Sequence, residues 1–474
     1  MLIRHIAFYL AARGLPGIVN FLALAIYTRL LSSEQFGRYS IVIASMGLVQ
    51  IAVFQWLQLV CGRFVPAHAD DPETVLRPVS ALFLMLSVAS VAGAAVALIW
   101  TPPGWRQLVA IATVLLIVSA WHELNLAYAS AQLAPGRYGA MSAVNSVLAI
   151  ALGALLAWLG WGAKAPLLGL VAGAAAAWFL VARAYWVGGR PKMPDADQMR
   201  RFASYGLPLA GVGSLVWVTA SSDRLIIAAL LGDAQTAFYA VGYDLAQPTL
   251  VLLLTIVNTA AMPLAFKLLE TDGAYAAREQ IRQNGEVIFA LACSGSAGLV
   301  AIGPAMIDLF IGEEFRQGAL TVFPWIAVSA GLVGIKIYYF DIAFHLTKKS
   351  KWLLVTTGLA AVINIIMNFA LIPGFGIVGA AWGALIAYFV ATISSWAIGR
   401  HVFAMPPLLP MFVHGMVPAI PTYFAARLCM QTDWSSTYKI IFSIAAGGLV
   451  ALTAFMLLNT ANIRDILIKR KFLK

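Results

Sequence analysis

Charge is scarce in this chain. Asp, Glu, Lys and Arg together make up 11% of its 474 residues, whereas 61% are hydrophobic. Soluble domains carry about a quarter charged residues, so a water-facing surface wrapped around one core is excluded. Acid is scarcer than base, with 20 Asp and Glu against 31 Lys and Arg. Cysteine is nearly absent. Cys61, Cys293 and Cys429 lie far apart in or beside apolar runs, which offers neither a disulfide framework nor a metal-ligand spacing. There is no glycine-rich phosphate loop ending in lysine, so the chain has no means of consuming ATP. Long polar connections are missing too, which leaves no room for a domain outside the membrane. The opening apolar run continues through Leu31 without a small-residue cleavage site, and reads as a first spanning helix rather than a removed leader.

What fills the chain instead is a succession of fourteen apolar stretches, from 6–31 to 438–458, and about 20 residues suffice to cross a bilayer core. The expected fold is an all-α polytopic membrane protein of about fourteen helices. The stretches also repeat. Gly14-Leu15-Pro16 matches Gly206-Leu207-Pro208, and Leu30-Leu31-Ser32-Ser33 matches Leu230-Leu231-Gly232-Asp233. Arg137-Tyr138 matches Lys351-Trp352, and Gly160-Trp161-Gly162 with Gly169 matches Gly374-Phe375-Gly376 with Gly383. Duplication of this kind is common among alternating-access transporters. The expected organisation is a six-helix lobe over 1–190, a linker over 191–201, a second six-helix lobe over 202–400, and two extra helices with a basic tail over 401–474. Within it, Pro16 and Pro208 each break a backbone bond beside glycines and are candidate hinges. Residues 264–285, with mixed charges, read as a short amphipathic helix at the interface.

The basic excess is distributed by side. With the N-terminus in the cytoplasm, twenty Lys and Arg fall in the tails and inward connections, and seven (Arg29, Arg38, Arg106, Lys164, Arg316, Arg427, Lys439) fall outward. That is a positive-inside bias. It places both termini in the cytoplasm and assigns the charge to topology and anionic lipid rather than to nucleic acid.

Two sets of residues resemble a known family. One is Gly14-Leu15-Pro16 followed by Tyr27-Thr28-Arg29-Leu30-Leu31-Ser32 and Phe36-Gly37-Arg38-Tyr39. The other is Asp223-Arg224-Leu225, Leu231-Gly232, Tyr239 and Asp244-Leu245-Ala246. Together they resemble the polysaccharide-biosynthesis and O-antigen-type flippases of the multidrug/oligosaccharidyl-lipid/polysaccharide exporter superfamily. The resemblance implies a six-six-two helix plan in a bacterial inner membrane. It implies translocation of an undecaprenyl-diphosphate-linked oligosaccharide to the periplasmic leaflet, for surface or exopolysaccharide synthesis. Polysaccharide polymerase and chain-length proteins are the partners it suggests.

Charges at bilayer depth are costly and mark function by default. Arg13, His122, Arg224 and Lys336 are candidates for a cationic cavity that holds the diphosphate, because cationic groups offset the desolvation of its negative charge. Extending the second repeat match backwards sets His122 opposite Lys336. Arg224 is also a basic position of the family pattern. Glu123, Asp244, Asp341 and His345 are candidates for coupling to H⁺ or Na⁺. The same charges can instead be internal salt bridges. Lys336 and Asp341, five apart, are about 140° apart on an α-helix and do not share a face there. Asp341 and His345, four apart, do. His414 reads as a packed, hydrogen-bonded histidine. No cofactor and no metal site is expected. The chain is read as a transporter, not an enzyme. The alternative is a cation-coupled drug antiporter of the same superfamily, which would favour an acidic pocket. A glycan polymerase or ligase would need larger outward loops with catalytic groups.

Overall fold

The structure, a computed structural model, describes residue Gly17 and residues 19–187, 189–349 and 351–462. Arg13, the hinge candidate Pro16 and the basic C-terminal tail lie outside them. The described residues form helices with no strand. They are α1 Val19–Leu30, α2 Ser33–Phe64, α3 Glu73–Trp100, α4 Pro103–Ala131, α5 Pro135–Trp158, α6 Lys164–Leu180 and α7 Ala196–Leu231. Then come α8 Asp233–Thr271, α9 Gly273–Phe310, α10 Glu313–Leu346, α11 Lys351–Val402, α12 Leu408–Met430 and α13 Ser436–Leu457. Eleven of these are long and apolar enough to cross a membrane, while α1 and α6 are shorter. The molecule is an all-helical, multi-pass membrane protein.

The 52 residues of α11 would span about 78 Å as one rod, far more than a bilayer needs. The rod is broken at Gly376, whose φ of 60° and ψ of −144° suit a residue without a Cβ. A Cβ on Gly379 would lie 2.5 Å from the Leu371 carbonyl, and one on Gly383 would lie 3.1 Å from Asn368 Oδ1. In a continuous helix Asn368 and Gly383 would be about 22 Å apart. The two arms, 351–375 and 377–402, therefore fold back on one another, and each is long enough to cross. With the two arms counted separately, twelve stretches are long enough to cross; the expected fourteen is not reached, because α1 and α6 are shorter.

The same hairpin is built from α5 and α6. Gly162 turns with φ +58°, and a Cβ on Gly169 would meet the Ala149 carbonyl at 2.3 Å and Gly153 Cα at 2.8 Å. Lipid tails give apolar helices little reason to associate, so close backbone approach over small residues holds them together. Gly162 and Gly376, paired by the sequence repeat, both stand at positive φ, whereas Gly160 does so and its counterpart Gly374 does not. Element starts repeat likewise: α2 at Ser33 and α8 at Asp233, α3 at Glu73 and α9 at Gly273. The chain is thus two related six-helix sets followed by α12 and α13.

By compactness the chain divides into Met1–Ala237 and Phe238–Lys474. Helix α7 opens the second sequence repeat yet packs in the first unit, along α2. Gly206 rests on Trp56, Gly213 on Gln55 and Gly47 on the Trp217 ring, and Trp217 Nε1 donates to the Ala44 carbonyl at 2.9 Å. The linker is non-helical up to its Asp195 cap, whose side chain accepts from the Gln198 N–H at 2.7 Å. Helix α7 accordingly begins at Ala196, inside the stretch read as linker.

Residues 264–285 are not a separate amphipathic helix. Helix α8 runs on to Thr271 and α9 starts at Gly273, so the mixed charges decorate the ends of two long helices. The charges pair within α9 instead, Arg282 with Glu279 at 2.6 Å and with Glu286.

Candidate functional site

Arg224 and Lys336 are the buried Lys and Arg side chains among the described residues, at 8% and 6% exposure. Arg224 lies in the polar run Ser221-Ser222-Asp223-Arg224 of α7, all buried. Small residues of α2 (Ser40, Ala44, Gly47) face α7 and admit it closely. Arg224 Nη1 thereby reaches Ser40 Oγ at 3.4 Å.

Lys336 belongs to the second unit and is held differently. Helix α10 is not a plain α-helix: over Lys336–Phe340 it is a π-turn, and the Asp341 N–H donates to the Lys336 carbonyl at 2.9 Å. An i→i+5 turn stacks residues five apart much as an α-turn stacks residues four apart. Lys336 Nζ consequently donates to Asp341 Oδ2 at 2.8 Å. The expectation that these two residues point apart is corrected by that extra residue in the turn. Ser395, on the second arm of α11, donates to the other carboxylate oxygen at 2.8 Å. Both charged side chains are buried, 7% and 6% exposed.

Tertiary contacts pin the π-turn. The Tyr338 and Thr255 hydroxyls are 2.6 Å apart. Tyr339 lies over Gly285, where a Cβ would come within 2.4 Å of its ring, and stands edge-on to Phe289 at 5.5 Å. The Asp341 carboxylate is engaged by Lys336 and Ser395. His345, the partner suggested by its four-residue spacing, is exposed on the next turn.

His122 and Glu123 come together in the first unit, in a pocket of about 250 Å³ shared with Tyr27, Tyr39, Tyr138, Ser142 and Asn145. Its lining is half polar because α4 and α5 present these residues toward α1. His122 is 4% exposed, and neither its Nδ1 nor Asn145 Oδ1 has a hydrogen-bond partner among the described residues. Glu123 is open to the space. Asp244 is half-buried on α8, in the second unit. Pro208 sits within a helix that continues past it.

Sequence reasoning overlooked two residues. Ser395 is one of many hydroxyls in apolar helices, and nothing local marks it. Glu286, 1% exposed, pairs with Arg282 and accepts from the Ala461 N–H at 2.8 Å. Its four-residue spacing from Arg282 was a usable signal. His414 Nε2 lies 3.8 Å from the same carboxylate, and its Nδ1 is 2.9 Å from Thr460 Oγ1. This histidine is hydrogen-bonded as expected, and the cluster ties the end of α13 to α9 and α12.

The family model described as polysaccharide biosynthesis protein matches residues 26–320, more than half of the chain. The chain belongs to that polysaccharide biosynthesis family. Its fold is that of the wider multidrug/oligosaccharidyl-lipid/polysaccharide transporter superfamily. The lipid II flippase MurJ, in an inward closed conformation, superposes with a TM-score of 0.74 at 13% identity, covering 98% of this chain and 100% of the flippase. An inward-facing multidrug resistance MATE family transporter gives 0.63 at 15% identity, covering 81% and 94%. An outward-facing form of such a transporter gives 0.54 at 15% identity, covering 83% and 94%. Comparison with curated protein sequences gives no match. Within the polysaccharide biosynthesis family, then, this member buries Arg224 and Lys336 and keeps an open polar pocket beside Glu123.

Proposed function

We propose that the protein is a flippase that carries an undecaprenyl-diphosphate-linked oligosaccharide from the cytoplasmic to the periplasmic leaflet of a bacterial inner membrane by alternating access. The observation that carries this reading is the burial of Arg224 and Lys336 in apolar helices. Such charges are expensive in a membrane interior, and an anionic substrate is a reason to keep them. A carrier of cationic drugs would need the opposite polarity at these positions. Arg224 and Lys336 hold the diphosphate, with Arg13 and His122 as further cationic candidates. The polyprenyl tail stays in lipid while the glycan head crosses. No bond is made or broken, so the protein works as a transporter without a catalytic group.

Glu123, in its pocket beside His122 and Asn145, is the first candidate for H⁺ or Na⁺ coupling. Asp244, Asp341 and His345 are the others. Both termini lie in the cytoplasm on the positive-inside count.

The test is complementation. In cells lacking the chain, Arg224→Ala and Lys336→Ala should each fail to restore surface polysaccharide at normal membrane abundance. Restoration by both would reduce these residues to structural charges.

A further inference from the structure

Lys336 cannot greet a diphosphate as it stands: it is buried, and its ammonium is already bonded to Asp341. On the reading that Lys336 is a substrate cation, this pairing has a use. We propose that Asp341 is an internal counter-ion, which occupies Lys336 when the carrier is empty and is displaced by the substrate's diphosphate when it is loaded.

The physical case starts from the return of the empty carrier. A lone ammonium in a low-dielectric interior costs several kcal/mol, by order of magnitude. A carrier that releases its anion and swings back would bear that cost on every cycle. An acid on the same helix removes it, provided that the acid lets go again. A permanent pair would be simplest at four residues' spacing on a plain α-helix. This chain uses five, and accommodates the extra residue in a single π-turn over Lys336–Phe340.

That turn is a two-state element. With the bulge between them, Lys336 and Asp341 face one another. If the bulge slips along α10, the intervening segment becomes α-helical and the pair separates by about 140°. Asp341 does not then become a bare charge, because Ser395 Oγ already donates to its other oxygen from the neighbouring arm of α11. Tyr338 and Tyr339, held by Thr255 and Gly285, set which register is favoured. Ile337, in the same turn, is 41% exposed, so the slip need not expel it from a packed core.

The experiment is binding of a short isoprenyl diphosphate, farnesyl diphosphate, to the purified full chain by calorimetry. Asp341→Asn should tighten binding, on the order of tenfold for a coupling of ordinary size. Ser395→Ala takes the remaining donor from the displaced carboxylate and should weaken binding, and it serves as the test if Asp341→Asn does not fold. Lys336→Gln should weaken binding, and adding Asp341→Asn to it should bring no recovery. Deleting Ile337 leaves the pair four apart on a plain helix, so it should fold, bind the diphosphate poorly and not transport. If Lys336→Gln weakens binding but Asp341→Asn does not tighten it or, should that variant not fold, Ser395→Ala does not weaken it, the counter-ion proposal is wrong and the flippase reading stands. If Lys336→Gln leaves binding unchanged, both fail.

Discussion

His122 and Lys336 occupy matched positions in the two repeats, and the molecule treats them in opposite ways. In the first unit His122 lies on a regular stretch of α4, beside an open pocket, with one ring nitrogen unpartnered among the described residues. In the second unit Lys336 lies in a π-turn with its charge closed off by Asp341 and, through it, Ser395. A residue five after His122, the counterpart of Asp341, is Ala127. Duplication supplied the scaffold twice, and the chemistry diverged at one register. One copy offers room for a small ion beside Glu123, while the other stores a cation with its own counter-charge. A single carrier that exchanges an anionic substrate and a coupling ion has reason to keep the two functions on separate copies.

The sharpest way to break this comparison is to unbalance the closed side. Asp341→Leu leaves a buried, unpaired lysine and should cost about 3–5 kcal/mol of stability, read as a large fall in thermal midpoint of the detergent-solubilised protein. Lys336→Met combined with Asp341→Leu should regain most of that loss. On the open side, His122→Ala and Glu123→Gln remove no ion pair among the described residues and should shift the midpoint far less. Equal losses on both sides would mean that the asymmetry is only apparent.

The two hairpins give a second contrast of intermediate size. Gly376→Ala places a Cβ at φ 60°, ψ −144°, a region that is strained by about 1–3 kcal/mol for other residues. Gly374→Ala, where a Cβ meets open space, should be close to neutral. Gly162→Ala, at φ +58°, should behave like Gly376→Ala if the repeat extends to the mechanics of the turn. Thermal midpoints of the three variants decide this.

A smaller effect is expected on coupling. Glu123→Gln should flatten the dependence of transport on pH or Na⁺ in proteoliposomes while leaving diphosphate binding within about twofold, since the carboxylate is distant in role from the substrate cations. An unchanged ion dependence would move coupling to Asp244 or Asp341. Smallest of all is the Arg38–Asp233 pair, 2.8 Å long but partly exposed. Removing it should cost about 1 kcal/mol or less.

Much of the fold was legible because membrane helices announce themselves by length and polarity. The repeat also marked real geometry: Gly162 and Gly376 were matched as letters, and both stand at positive φ where the chain turns back. The packing of α7 with the first unit was not legible, since it depends on which helix meets Gly206, Gly213 and Trp217. Nor was the π-turn. A one-residue change of register leaves no trace in an apolar helix, and here it is fixed by Thr255 and Gly285, far away in sequence. The misreading of 264–285 had a different cause. Charges at a helix break look like an amphipathic segment when the helices on either side are longer than the bilayer. Among site residues, the sequence singled out Arg224, Lys336, His122 and Glu123 by their cost in lipid, but burial alone could not say which of them were already paired.

The most direct test of the central claim is to extract undecaprenyl-linked glycans and assay surface polysaccharide together, in cells lacking the chain and any redundant flippase. The account predicts full-length lipid-linked repeat units accumulating in the inner membrane with surface polymer lost, and both restored by the intact chain but not by Arg224→Ala. Unchanged glycolipid with normal surface polymer would contradict it, and would point to antiport of small molecules instead.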